Sequence, residues 1–166
     1  MDEALEKVPA ETRWTIATKA LTGAVIATAK AMRDALGQER SDEVGAQIWA
    51  EQGKAAKQIA DTLGLAGEDA KSAAETAQSL IIVAMGPEFK FETVEATAEK
   101  AVIRLTGGPW WNRFKELGIS EDLCSVACAA FWDALTKSLN PKLTVSLTKA
   151  MPRGDSYCEW VLQLQK

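Results

Sequence analysis

Three cysteines and the complete absence of histidine frame the chemistry open to this chain. Cys124 and Cys128 stand four residues apart, a spacing that puts both thiols on one helical face about a turn from each other. Cys158 falls in a later segment of alternating apolar residues, on the apolar side of a strand. Without an imidazole there is no Ser-His-Asp or Cys-His pair, no two-His metalloprotease helix and no His-bearing zinc finger. Carboxylates, thiols, amines, backbone groups or a bound cofactor must do whatever is done. If the helix packs on the strand, the three thiols converge. They could then hold zinc or an iron–sulfur centre through Cys124, Cys128 and Cys158, or expose one thiolate as a nucleophile. Ordinary core packing is the third reading, because free cysteine is among the most buried residue types. A closed zinc site normally takes four ligands, so three cysteines leave one place open. No other residue pattern calls for a cofactor.

Arg153-Gly154-Asp155 form a second candidate group. Gly and Asp suit a tight turn. At a pocket mouth the same residues would supply an acid or base in Asp155 and a bidentate carboxylate clamp in Arg153. Glu159 alternates away from Cys158 and is expected on the solvated face. Trp110 and Trp111 follow Gly107-Gly108-Pro109. Adjacent helical side chains point about 100° apart, so one ring can enter the core while the other walls a cavity. Six Trp beside a single Tyr point to large flat surfaces near a pocket.

Several elements must position these residues. Pro9 and Gly37 bracket a first helix, along which Trp14, Ala17, Leu21, Ala24, Val25, Thr28, Met32 and Ala35 recur three and four apart as a buried stripe. A second helix starts at Ser41-Asp42-Glu43, carries Val44, Ile48, Ala55, Ile59 and Leu63, and ends near Gly64. A third runs from Gly67-Glu68-Asp69 to Gly86-Pro87, with Ala70, Ala73, Ala77, Leu80 and Ile81 on one side. After Pro87 the period changes to two. Phe89 to Val94 and Ala101 to Leu105 predict a hairpin. A short helix spans Trp110 to Leu117. Another is capped by Ser120, has Glu121 and Asp122 in its first turn, and runs through Cys124 to about Leu139. Leu143 to Thr148 and Cys158 to Leu164 form a closing hairpin around a turn at Met151 to Asp155. Three helices, hairpin, two helices and hairpin describe an α+β protein with an antiparallel sheet. The chain reads as a single domain over 1–166, with a helical part at 1–86 and a hairpin-helix-helix-hairpin part at 87–166.

The bulk numbers narrow the partners. There are 19 basic and 23 acidic residues, a net charge of 19 − 23 = −4, and 47% of residues are hydrophobic. An acidic balance argues against nucleic acid, which asks for a basic face. Residues 1–100 hold 11 basic and 17 acidic groups, and residues 101–166 hold 8 and 6, so the second part tolerates a small anion better. No apolar run reaches the roughly 18 residues of a membrane span. The acidic opening Met1-Asp2-Glu3 lacks the charge pattern of a signal peptide. The odd cysteine count forbids full pairing within one chain. The expectation is a cytoplasmic protein with a small-molecule ligand, no membrane and no nucleic-acid partner. Self-association into a homo-oligomer is left open.

Across Gly107-Gly108-Pro109-Trp110-Trp111, Cys124-x-x-x-Cys128 and the ending from Leu139-Asn140-Pro141 through Gly154-Asp155-Ser156-Tyr157-Cys158-Glu159-Trp160, the sequence resembles the L-2-amino-thiazoline-4-carboxylic acid hydrolase-like family. The resemblance covers roughly the C-terminal 80 residues, judged by motif alone. Family members typically carry a Cys before the Pro that opens the middle helix; here that place is Gly108, which removes one thiol. The resemblance implies hydrolytic opening of a small cyclic amidine next to a carboxylate. Cys124 or Cys158 would then be the nucleophile, Asp155 the acid/base, and Arg153 or Arg104 the anion clamp beside Trp110 and Trp111. The alternative is a non-catalytic small-molecule or hydrocarbon-binding module, resembling the vinyl-reductase-associated domains in its order of helices and hairpins. In that reading the tryptophans and small-residue helices line an apolar pocket.

Overall fold

The computed structural model describes residues 6–165, so the acidic opening at Met1–Glu3 lies outside them. Helix α1 (Ala10–Thr62) is followed by α2 (Ala70–Met85), strands β1 (Lys90–Ala96) and β2 (Lys100–Gly107), and helices α3 (Pro109–Leu117) and α4 (Ser125–Leu139). Strand β3 (Leu143–Lys149), a 3-10 turn at Met151–Arg153 and strand β4 (Cys158–Leu164) complete the chain. The four strands form one antiparallel sheet in the order β1-β2-β4-β3. The expected α+β class and both hairpins are present, and the two hairpins join through β2 and β4.

Helix α1 is two helices in tandem. Gly37 has φ 75° and ψ 174°, a conformation that residues with a side chain rarely adopt, and it turns the chain between limbs 10–36 and 38–62. The expected stop at Gly37 is therefore a sharp turn with no intervening loop. Arg33 reaches across it to Ser41 Oγ at 2.8 Å and Asp42 Oδ1 at 2.6 Å.

The stripes expected to be buried on these limbs are displaced. Thr18, Thr22 and Ile26 are buried on the first limb, and Gly53, Ala56 and Ala60 on the second. Leu21 is 46% exposed, and Ile48 and Ile59 nearly half. The limbs approach their neighbours through their smallest residues, because only these let helix axes come close. At Gly53 an added Cβ would sit 2.5 Å from the Phe131 carbonyl oxygen and 3.0 Å from Ala134 Cβ. The larger apolar residues face a cavity instead.

Helix α2 behaves as its sequence predicts. Ala70, Ala73, Ala77 and Leu80 are buried against Ala101, Ile103, Trp160 and Leu162 of the sheet. Asp69 and Ser72 form a reciprocal capping box at its start. At α4 the expectation needs correction. Ser120 does not cap the helix, which begins at Ser125 with Cys124 as its N-cap, four residues later than expected. The carboxylate of Asp122 accepts from the Cys124 amide at 3.2 Å and the Ser125 amide at 2.9 Å, so it takes over the cap. An ionised acceptor that can bind two amides outcompetes a single hydroxyl. Cys124 thus occupies the N-cap position, one turn ahead of Cys128, whose amide donates to the Cys124 carbonyl at 2.7 Å.

Candidate functional site: an aromatic cavity

The inner face of the sheet, helices α2, α3 and α4, and both limbs of α1 surround one cavity of about 700 Å³. Five of the six tryptophans (all but Trp14) and all four phenylalanines border it. Trp49 meets Trp110 and Phe131 edge to face, with ring centroids 5.8 and 6.0 Å away. Trp132 and Trp160 stack at 4.9 Å. These are favourable offset and T-shaped arrangements, and they make stiff walls. Exposed lining residues are concentrated on the two limbs of α1, Leu21, Ala24 and Thr28 on one and Ile48, Gln52, Ala55 and Ile59 on the other, together with Val83 and Ala84 of α2. The cavity therefore opens where large aliphatic side chains meet solvent.

All three cysteines border the cavity and are unpaired. The Cys128 thiol hydrogen-bonds Cys124 and, with burial, pushes the Cys124 thiol well above its ordinary 9.0. Burial pushes Cys158 up to about 11, opposed by the Met151 amide, which donates to its sulfur at 3.3 Å. Low-dielectric surroundings disfavour a thiolate, and the nearby acids Asp122 and Asp155 add repulsion. Among the described residues, no group of three or more His, Cys, Asp or Glu side chains is placed to hold a metal ion. The three thiols share a cavity without forming a ligand set.

The remaining sequence candidates separate. Trp110 and Trp111 line the cavity, as anticipated. Asp155, Arg153 and Arg104 do not border it. Asp155 is exposed and its carboxylate accepts the Ala150 amide at 2.8 Å, which closes the turn between β3 and β4. Arg153 is exposed and bonds Asp122 Oδ2 at 3.1 Å. Arg104 lies on the outer face of the sheet, because side chains alternate along β2 and its neighbours Ile103 and Leu105 point inward. There it donates to Glu159 at 2.9 Å and stacks over Tyr157. Cys124 and Cys158 are thus brought to the cavity, while the acid/base and both anion clamps assigned from the sequence are directed elsewhere.

Sequence reasoning missed Trp49, Phe131, Arg33, Asp42 and Asp122. Asp122 joins the α4 cap, Arg153 and Arg33, whose Nη2 donates to the Asp122 carbonyl oxygen at 3.2 Å. Burial acts against its ionisation, yet the hydrogen bonds from Ser125, Arg153 and Cys124 prevail and hold its carboxyl below the ordinary 3.8. The spacing of Asp122 ahead of Ser125 was an available signal. The pairing with Arg33 joins residues far apart in the chain and left none.

No helix of the described chain is long and apolar enough to cross a membrane. Nothing among curated proteins matches the sequence. Among solved structures, the phenol-responsive sensory domain of the transcription activator PoxR, with phenol, is similar at a TM-score of 0.66 and 14% identity, over 86% of this chain and 74% of that one. A trafficking protein particle complex subunit 3 from Naegleria fowleri, covalently bound to palmitic acid, is similar at 0.65 and 13%, over 91% and 96%. At such identities the likeness is one of fold. The sequence also matches the model of the L-2-amino-thiazoline-4-carboxylic acid hydrolase family over residues 17–161, well beyond the C-terminal motifs and into the first limb of α1. The chain belongs to that family.

Proposed function

We propose that this chain is a small-molecule-binding domain that takes a largely apolar ligand between the limbs of α1, within the hydrolase family but without its hydrolytic chemistry. The aromatic cavity of about 700 Å³ carries the reading. It has the volume of a ligand pocket for a drug-sized molecule. Its walls are mostly ring faces and alkyl groups, and the arginine and aspartate on them, Arg33 and Asp42, are paired with each other at 2.6 Å, whereas a small carboxylate-bearing amidine needs an available cation and a proton carrier at the reacting carbon. Arg104, Arg153 and Asp155 are directed away from it, and two of the three thiols that border it, those of Cys124 and Cys158, are held protonated. Supporting this, the two structural neighbours hold phenol and palmitic acid, both with substantial apolar bodies.

The test is binding of the uncharged fluorophore N-phenyl-1-naphthylamine to the whole protein. Saturable binding that weakens about three- to tenfold in Trp49→Ala or Trp110→Ala is expected, the worth of one lost aromatic contact. Absence of saturable binding refutes the reading. The hydrolase reading keeps two observations in its favour, the family match and the presence of Cys124 and Cys158 on the cavity wall. It requires release of product from L-2-amino-thiazoline-4-carboxylate that disappears in Cys158→Ser and in Asp155→Asn.

A further inference from the structure

Two of the cavity thiols form a pair. Cys124 and Cys128 sit one turn apart at the start of α4, and the Cys128 amide donates to the Cys124 carbonyl at 2.7 Å, so the turn between them is closed. Both border the cavity, both are half-buried, and neither is in a disulfide. Their thiols hydrogen-bond each other. Trp132 continues the same face of α4 one turn further on, stacked on Trp160, and Phe131 stands beside it on the cavity wall. The pair therefore opens onto aromatic rings.

This geometry restricts what the pair can take. One closed turn sets β-carbons about 5–6 Å apart, beyond the roughly 3.5–4.5 Å that a disulfide requires. A single atom bonded to both sulfurs spans the wider gap. Burial and the nearby Asp122 carboxylate disfavour thiolates here, so a metal cation that needs two of them is poorly served. Among the described residues no third His, Cys, Asp or Glu side chain completes a ligand set with the pair, so whatever binds must bring its own third ligand. An element with three bonds, one of them already made to carbon, meets all of these conditions. Its adduct with two thiols is neutral and suits a water-poor wall.

We infer that Cys124 and Cys128 are a dithiol site for an organic compound of trivalent arsenic, R–As(OH)2, whose aryl or alkyl body R lies against the aromatic wall. Each sulfur replaces one hydroxyl on arsenic. Two S–H and two As–O bonds break, two As–S and two O–H bonds form, and two waters leave. Arsenic stays trivalent, so no oxidant or reductant is needed, and neutral thiols are the reactants. The placement of R rests on the apolar-ligand reading above, while the dithiol itself does not.

Phenylarsine oxide, which hydrates to the phenyl member of this class, is the probe, titrated into the whole reduced protein with an excess of a monothiol present. Intact mass should show one phenylarsenic per chain. Iodoacetamide, added after denaturation and resolved by residue, should label Cys158 and spare Cys124 and Cys128; this pattern needs no variant. Cys124→Ala and Cys128→Ala, each first shown to melt cooperatively, should bind at least about a hundredfold more weakly, because the second thiol acts intramolecularly. Inorganic arsenite, which has no apolar body to bury, should bind at least about tenfold more weakly than phenylarsine oxide. The seated phenyl group should displace N-phenyl-1-naphthylamine. Absence of a two-thiol adduct, or full-strength binding by either variant, overturns the site. Protection of Cys158 together with the pair, or arsenite binding as tightly, overturns the organic class, since arsenic then takes its third bond from the chain. A normal adduct that leaves the fluorophore bound overturns the placement of R alone. If the fluorophore never binds, the apolar-ligand reading falls, and the dithiol site stands on its adduct.

Discussion

Raising the pH while following the reactivity of Cys158 gives a direct measure of the cavity's interior. Its thiol is shifted from 9.0 to about 11. At pH 7 the thiolate is then about one part in 10⁴, against about one part in 10² for an ordinary thiol, because each pH unit below the pKa is a factor of ten. Alkylation proceeds through the thiolate, so labelling should be about a hundredfold slower than for the unfolded chain, before any steric protection is added. The same shift links to stability. The folded value lies above the unfolded one, so the native state holds the proton more tightly than the unfolded state does. The associated stabilisation is fully present below pH 9 and is lost as pH rises towards 11. It amounts to roughly 2–3 kcal/mol at most. Iodoacetamide labelling, resolved by residue with mass spectrometry across pH 7–11, reads the first effect. Denaturant melts of the wild-type protein and Cys158→Ala over the same range read the second. The wild type should lose more stability than the variant between pH 9 and 11. Labelling of native Cys158 at the unfolded rate, with a midpoint at or below pH 9, refutes the desolvated cavity wall and revives the thiol as a nucleophile.

Two further perturbations address the frame. Gly53→Ala places a methyl group against the Phe131 carbonyl oxygen and Ala134, so stability should fall by about 1–3 kcal/mol, read as a lower Tm; an unchanged Tm would refute the close crossing of α1 and α4. Asp122→Ala removes the cap of α4 and the partner of Arg153, and should cost about 0.5–2 kcal/mol at neutral pH. Its folded pKa is depressed below 3.8, so its contribution is present above pH 4 and vanishes as pH falls through the folded value. Wild type and variant should converge in stability in strong acid, and a constant difference down to pH 2 would refute the role of the charge.

Much of this molecule is legible in its local sequence pattern. The change from helical to period-two spacing at Pro87, and again after Pro141, places the two hairpins, and the inward set Trp160 and Leu162 follows from simple alternation along β4. The C-terminal stop of α3 at Gly118, with φ 66°, is equally local. Cys158 and Glu159 point to opposite faces for the same reason, and this placed the thiol at the cavity and the carboxylate outside it. Such features depend on residues within a few positions of one another, whose relation the backbone geometry dictates.

Other features depended on what the elements meet. The apolar stripes of α1 were readable as stripes, but periodicity cannot distinguish a face pressed on another helix from a face turned to an internal space. Packing decided it: Gly53, Ala56 and Ala60 allow the close approach, which leaves Leu21, Ile48 and Ile59 facing the cavity. Likewise Asp155 and Arg153 carry reactive groups in a suggestive tripeptide, yet their bonds to Ala150 and Asp122 hold them to the turn and the α4 cap. The thiols were identifiable by type, but Cys158 is pushed up by burial and by Cys128 and Asp122, distant in the chain, while Cys124 is pushed up by its helical neighbour Cys128 together with burial. The amino-acid sequence by itself determined the elements, their faces and the inventory of reactive groups. Only the tertiary structure decided which groups share a water-poor space, because desolvation and charge pairing are properties of the assembled surroundings.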